Sequence, residues 1–143
     1  MKNFIFILFF LEIFCLSEMR AESIERVKDG DTVVIEDANP PKEFLQNIGR
    51  IDGIDTPESY RPKCLKEKNL GLKAKKFTKD FIEKKGDLKI IYNRSKETKE
   101  GWDKYGRYLI EIKKDGKDLA EELVKVGLAV YYDGGTKIKN WCE

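Results

Sequence analysis

The clearest helical period in this 143-residue chain is set by Leu70, Ala74, Phe77 and Phe81, which share one face of a repeat of about 3.6 residues. Around that stretch the apolar residues gather into short β-branched runs, three before it (24–27, 32–35 and 44–54) and two after it (88–92 and 107–112). One helix between the third and fourth of five short strands leaves few ways to build a single sheet.

The punctuation agrees with that order. Asp29-Gly30 between the first two runs is a hairpin signal, because both residues tolerate positive φ. Asn39-Pro40-Pro41 stops the second strand, and Gly49 and Gly53 inside the third suggest a bulge or bend. The far side of the helix carries Lys73, Lys75, Lys76 and Lys79, a solvated face, and Gly86 ends it. Asp115-Gly116 turns the chain after the fifth strand. Asp118 with Glu121 then opens a second helix as a capping box, buried through Leu119, Ala120, Leu123, Val124 and Val126 and closed at Gly127. The fold expected is mainly β with helices: a five-stranded OB-type Greek-key barrel, one helix between strands 3 and 4 and another after strand 5. A small α+β sheet with both helices on one side would give the same string.

The first 21 residues read as a leader rather than as fold. Lys2 precedes an apolar run that starts at Phe4 and continues past Glu12 to Leu16, and small residues Ser17 and Ala21 follow. The run is shorter than the ~20 residues of a spanning helix. Export with cleavage is expected, an uncleaved anchor being the alternative, and residues 22–143 then form one domain. Cys15 leaves with the leader, so Cys64 and Cys142 remain as an even pair in an oxidising compartment.

Composition matters through what is missing. Basic residues number 28 against 26 acidic, too near balance to identify a partner, but there is no histidine. Imidazole bases, nucleophiles and ligands are therefore excluded, together with Ser-His-Asp hydrolases. What remains is a scattered set of carboxylates and arginines. Asp29-Gly30-Asp31-Thr32, the run from Arg50 to Glu58, and Asp103-Lys104-Tyr105-Gly106-Arg107 each have a plain structural explanation when taken singly. Together they suit a hard cation held by oxygen and a phosphodiester gripped by guanidinium groups. With no histidine, a carboxylate is the natural base for an attacking water.

The run from Arg50 through Asp55-Thr56-Pro57-Glu58, followed by Asp103-Lys104-Tyr105-Gly106-Arg107, resembles the staphylococcal nuclease (thermonuclease) family. The resemblance extends over about residues 24–129, including the segment 123–129. It implies a Ca²⁺-dependent nuclease that cleaves DNA and RNA at the 5′ side of the phosphorus. Asp31, Asp55 and the Thr56 carbonyl would hold Ca²⁺, with Asp29 nearby. Glu58 would act as general base or orient the water, and Arg50 and Arg107 would grip the scissile phosphate. Lys104 and Tyr105 would touch a neighbouring phosphate. No stable protein partner is implied, and a monomer is expected. The family's long C-terminal helix has no counterpart in residues 131–143, and Tyr131 and Tyr132 stand only near the positions of its nucleotide-stacking tyrosines.

Two structural expectations follow. Arg50 and Asp55 are five residues apart, so a regular strand would put them on opposite faces; a shared site needs a bend, and Gly53 is the place for it. A Cys64–Cys142 bridge would tie the tail beside the site, the alternative being two unrelated thiols. Two other functions compete: an OB-type module that binds nucleic acid without cutting it, and an oligosaccharide-binding barrel, which would leave the arginine–carboxylate set without purpose.

Overall fold

A computed structural model of the chain describes residues 23–36, 47–93 and 101–143. The expected leader and the 39–41 turn lie outside the described residues, as does the stretch 94–100.

Strands β1 (Ser23–Asp29) and β2 (Thr32–Glu36) form an antiparallel hairpin with a two-residue turn, Asp29 pairing with Thr32. β3 (Ile48–Ile51) adds to β2, and β6 (Tyr108–Lys114) lies parallel to β3. β5 (Leu88–Tyr92) closes the path on the far side of β6. The resulting order, β1-β2-β3-β6-β5, with the short β7 (Lys117–Asp118) folded back on β6, is the expected OB-type arrangement. Helix α1 (Leu65–Glu83) lies between β3 and β5, and α2 (Leu119–Lys125) follows β7.

One face of the sheet supplies Val33, Ile35, Ile51, Ile110 and Ile112, which pack with Ala74 of α1 and Leu119 and Leu123 of α2 into one core. Gly49 sits in regular register between Val33 and Tyr108, so it does not bend the strand as the sequence suggested. It leaves room for the Ile110 and Ile35 side chains, into which a Cβ would run. The bend is at Gly53, whose φ is +75°. The strand stops there and resumes as β4 (Ile54–Asp55), which pairs with the short tail strand β8 (Val130–Tyr131).

Helix α1 packs differently from its apolar period. Its fully buried line is Glu67, Gly71, Ala74 and Thr78, with Phe77 and Phe81 packed at the margin of the core. Small residues take the centre because the helix lies against two loops. A Cβ on Gly30 would stand 2.7 Å from Ala74 Cβ and 2.9 Å from Thr56 Oγ1, and one on Gly71 would stand 2.6 Å from the Glu58 backbone carbon. Gly30 is not among the residues with positive φ, so the hairpin uses this glycine for close approach and not for its conformational freedom. Thr78 Oγ1 completes the contact by donating to the Gly30 carbonyl (2.6 Å).

Both helix ends are satisfied from outside the period. Glu67 reaches back to the Lys63 amide (2.5 Å), and the buried Lys114 of β6 donates to the Ile82 and Lys84 carbonyls, neutralising the C-terminal end of the α1 dipole. The exposed lysine face is laced by i,i+4 pairs, Lys76–Asp80 and Lys79–Glu83. In α2, Asp118 caps the Ala120 and Glu121 amides as expected. Val126, expected in the core, is 50% exposed, because the helix has already ended there and Gly127 turns the chain so that Leu128 N–H reaches the Leu123 carbonyl.

The tail carries no long helix. It ends in a Cys64–Cys142 disulfide with a Cα–Cα distance of 6.0 Å, beside a buried Trp141. Two stability changes are expected in denaturant titrations. Gly71→Ala should destabilise by about 1–3 kcal/mol, because the clash with backbone outweighs the roughly 1 kcal/mol that alanine gains in a helix. Replacing both cysteines by serine should cost up to about 4 kcal/mol, the closure entropy of a 78-residue separation.

Candidate active site

Strand register builds the floor of the site. Thr32, Arg50 and Leu109 lie side by side across β2, β3 and β6, and their side chains point away from the core. Arg107, in the turn just before β6, lines the same cavity as Arg50. The Gly53 turn then brings Asp55 back toward Arg50, whose Nη2 lies 3.9 Å from Asp55 Oδ1. The bend that a shared site required is present.

Arg50 is buried. Its Nη1 donates to the Ile51 carbonyl and its Nη2 to the Ile54 carbonyl, both at 2.7 Å, and Nη2 also lies 3.2 Å from Asp31 Oδ2. The expected phosphate ligand is thus also the clamp that closes the turn. Asp31 accepts from the Thr32 hydroxyl (2.9 Å) and the Thr56 amide (3.1 Å), so Asp31, Asp55 and Thr56 form one buried group. Asp29 accepts from the Gly30 amide and, at 3.3 Å, from the Ser59 amide, which ties the hairpin turn to the loop carrying Glu58.

Glu58 is half-buried at the junction of two cavities. Burial raises its pKa above the ordinary glutamate value; Lys137 opposes the rise, and the charges of Asp29 and Asp31 add to it. The larger cavity, about 660 Å³, is lined by Asp29, Asp31, Arg50, Glu58, Lys104, Tyr105 and Arg107 among others. Asp55 and Thr56 instead line an adjoining cavity of about 320 Å³ that shares Glu58 and Lys137 with the first. The candidate residues therefore gather in two adjoining cavities, Asp31 on the larger, Asp55 and Thr56 on the smaller, and Glu58 common to both.

Arg107 and its neighbours sit on the opposite wall. Asp103 Oδ2 accepts from Arg107 Nε (2.8 Å) and Nη2 (2.6 Å), while Asp103 Oδ1 accepts from the Tyr105 and Arg107 amides. This carboxylate fixes the guanidinium plane and leaves Nη1 as the nitrogen it does not engage. Arg107 Cζ and Lys104 Nζ each lie about 5.3–5.4 Å from the centroid of the Tyr105 ring, which is largely exposed. Of the tail tyrosines, Tyr132 lines the larger cavity and Tyr131 points to solvent.

Asp103 opens the Asp103–Arg107 motif, but nothing local marked it as the group that orients the arginine. Lys137 had no signal at all. Its Nζ lies 2.6 Å from Asp55 Oδ1 and 3.5 Å from Glu58 Oε1. The shorter contact is one of charges and not an aligned hydrogen bond, since Asp55 Oδ1 is buried with no hydrogen-bond partner of good geometry. Burial would lower the Lys137 pKa, but Asp55, then Glu58 and Asp31, more than reverse this and hold it above the ordinary lysine value.

The donor set fits a hard divalent cation. Four carboxylates, Asp29, Asp31, Asp55 and Glu58, face the cations of Arg50 and Lys137, and the buried Asp55 Oδ1 is held by charge without an aligned hydrogen bond. Among the described residues no three carboxylates form a metal cage by themselves. An ion here would take Asp31, Asp55, the Thr56 carbonyl and water, the mixed oxygen coordination that Ca²⁺ accepts.

The family model for staphylococcal nuclease homologues matches residues 49–140. Two Bacillus subtilis (strain 168) proteins are similar. SPbeta prophage-derived endonuclease YokF is 31% identical over 121 residues, covering 80% of this chain and 36% of that protein. Endonuclease YncB is 31% identical over 119 residues, covering 80% of this chain and 51% of its own length. The chain thus spans between about a third and a half of the length of these relatives.

The raised Glu58 pKa has a readable consequence. Carboxyl-carbon NMR titration should place the Glu58 midpoint above that of an ordinary glutamate, and Lys137→Gln should raise it further by removing the opposing charge. The folded carboxyl being the weaker acid, its contribution to stability is present at low pH and is lost as pH rises through the folded pKa. A midpoint at or below the ordinary value would show that Lys137 outweighs burial.

Proposed function

The chain belongs to the staphylococcal nuclease family, and from that premise we propose that it is an exported, Ca²⁺-dependent nuclease that hydrolyses phosphodiester bonds of DNA and RNA. The observation that carries the reading is the convergence of Asp31, Arg50, Glu58, Lys104, Tyr105 and Arg107 on one cleft of about 660 Å³.

Each group has a task in direct attack of water on phosphorus. Glu58, which lines both cavities, takes a proton from the attacking water, and its raised pKa makes it a stronger base. Arg107, oriented by Asp103, presents its outer guanidinium edge to the phosphoryl oxygens as negative charge builds on them. Arg50 sets the floor beneath the phosphate and keeps Asp31 and Asp55 at a fixed spacing. Ca²⁺, held by Asp31, Asp55 and the Thr56 carbonyl, would supply further positive charge beside the reacting phosphate. Lys104 and Tyr105 extend the cleft toward a neighbouring nucleotide. The protein would act as a monomer, without a stable protein partner.

Export is supported by the apolar, basic-started leader over residues 1–21, with 22–143 as the domain released, and by the Cys64–Cys142 bridge, which persists in oxidising compartments. Digestion of DNA and of RNA by the protein lacking residues 1–21, with Ca²⁺ and with chelator, tests the activity. Cutting is expected with Ca²⁺ and not with chelator. Arg107→Ala and Glu58→Gln should each lower the rate by roughly 10²–10³-fold with the fold intact. DNA cutting by Arg107→Ala at the parent rate would remove this mechanism, and retained DNA binding without cutting by the parent protein would leave a binding module.

A further inference from the structure

The tail crosses the site as a strap fixed at both ends. At one end Val130 pairs with Asp55 in the β4–β8 ladder, and the Tyr132 amide donates to the Gly53 carbonyl (2.9 Å). At the other, Cys142 is bonded to Cys64 at the start of α1, and the buried Trp141 turns its Nε1 toward Asp55 Oδ2 (3.5 Å). Between these anchors the Tyr132 hydroxyl donates to the Gly135 carbonyl (2.6 Å), rounding the chain into a bend. The bend delivers Lys137 to Asp55 Oδ1 and Glu58 Oε1. The Asp55 side chain is 4% exposed and that of Lys137 49%, so a buried anion meets a cation that can withdraw along its own flexible stem.

We propose that Lys137 is an internal counter-ion for Asp55 that competes with Ca²⁺ for this carboxylate. The inference rests on the reading of Asp31 and Asp55 as the cation's ligands. An ammonium 2.6 Å from Asp55 Oδ1 stands within the distance at which Ca²⁺ itself binds a carboxylate oxygen, and two like charges cannot share that position. Binding of Ca²⁺ therefore includes displacement of Lys137 into the larger cavity, which it already lines. Because the strap holds the lysine close, the paired arrangement is favoured, and the apparent affinity for Ca²⁺ falls by the fraction of molecules in which the carboxylate is open. In the absence of Ca²⁺ the same lysine keeps the buried Asp55 charge compensated, which limits the cost of preserving an acidic site.

Calorimetric titration of Ca²⁺ into the oxidised protein at fixed ionic strength tests this, using the parent and the Lys137→Gln, Lys137→Arg and Asp55→Asn variants. Lys137→Gln should bind Ca²⁺ roughly tenfold more tightly than the parent. Lys137→Arg, which keeps the charge, should remain near the parent, which separates charge competition from a change in tail packing. Asp55→Asn should bind much more weakly. Equal affinity of the parent and Lys137→Gln, with Asp55→Asn still weakened, would overturn the competition while leaving the cation site standing. Absence of Ca²⁺ binding in both the parent and Lys137→Gln would remove the site reading itself, and the competition with it.

Discussion

The buried guanidinium of Arg50 is the interaction on which the site depends. It joins three pieces of chain: the Ile51–Ile54 turn through two carbonyl oxygens, the hairpin turn through Asp31, and Asp55 at longer range. A carboxylate as buried as Asp31 is tolerable only with such compensation, and removing one partner of a buried pair typically costs about 3–5 kcal/mol. The charge pattern serves fold and function at once. The group that holds the bend closed also keeps the acidic residues within reach of one another.

Helix α1 supplies the rigid wall behind this cluster. Its buried line is made of small or polar residues because backbone, not side chain, lies opposite: the Gly30 turn at one level and the Glu58–Ser59 peptide at another. Larger residues on that line would thicken the interface and shift the loop bearing Glu58 relative to Asp31. The flanking Phe77 and Phe81 restore the apolar burial that the centre gives up. Packing and geometry are thus separated along one helix, with large side chains at the margins and close approach down the middle.

Much of this was legible because it is local. The strand runs, the Asp118 cap and the Asp115-Gly116 turn are set by neighbouring residues, and the Gly53 bend followed from the parity of Arg50 and Asp55. Gly30 was placed correctly but for another reason than the one that requires it, since close approach of a distant helix leaves no mark in the turn's own sequence. The same limit applies to Gly49, whose neighbours Ile35 and Ile110 come from other strands. Arg50 was read as a phosphate ligand, and its bonds to the Ile51 and Ile54 carbonyls depend on a turn conformation that residue types alone do not specify. Lys137 is the extreme case. It lies 82 residues from Asp55 in sequence and reaches it only because the disulfide and the β4–β8 pair fix the tail on both sides.

The Cys64–Cys142 bond also changes what damage means for this molecule. The sulfurs enclose α1, β5, β6 and α2, hence most of the domain's length and the whole Arg107 wall. A protease that severs one peptide anywhere inside that loop produces two chain ends but still a single covalent particle. Its fragments stay at high mutual concentration and can re-form their strand pairings without a bimolecular encounter. Nicking and separation become distinct events, and only a reductant turns the first into the second.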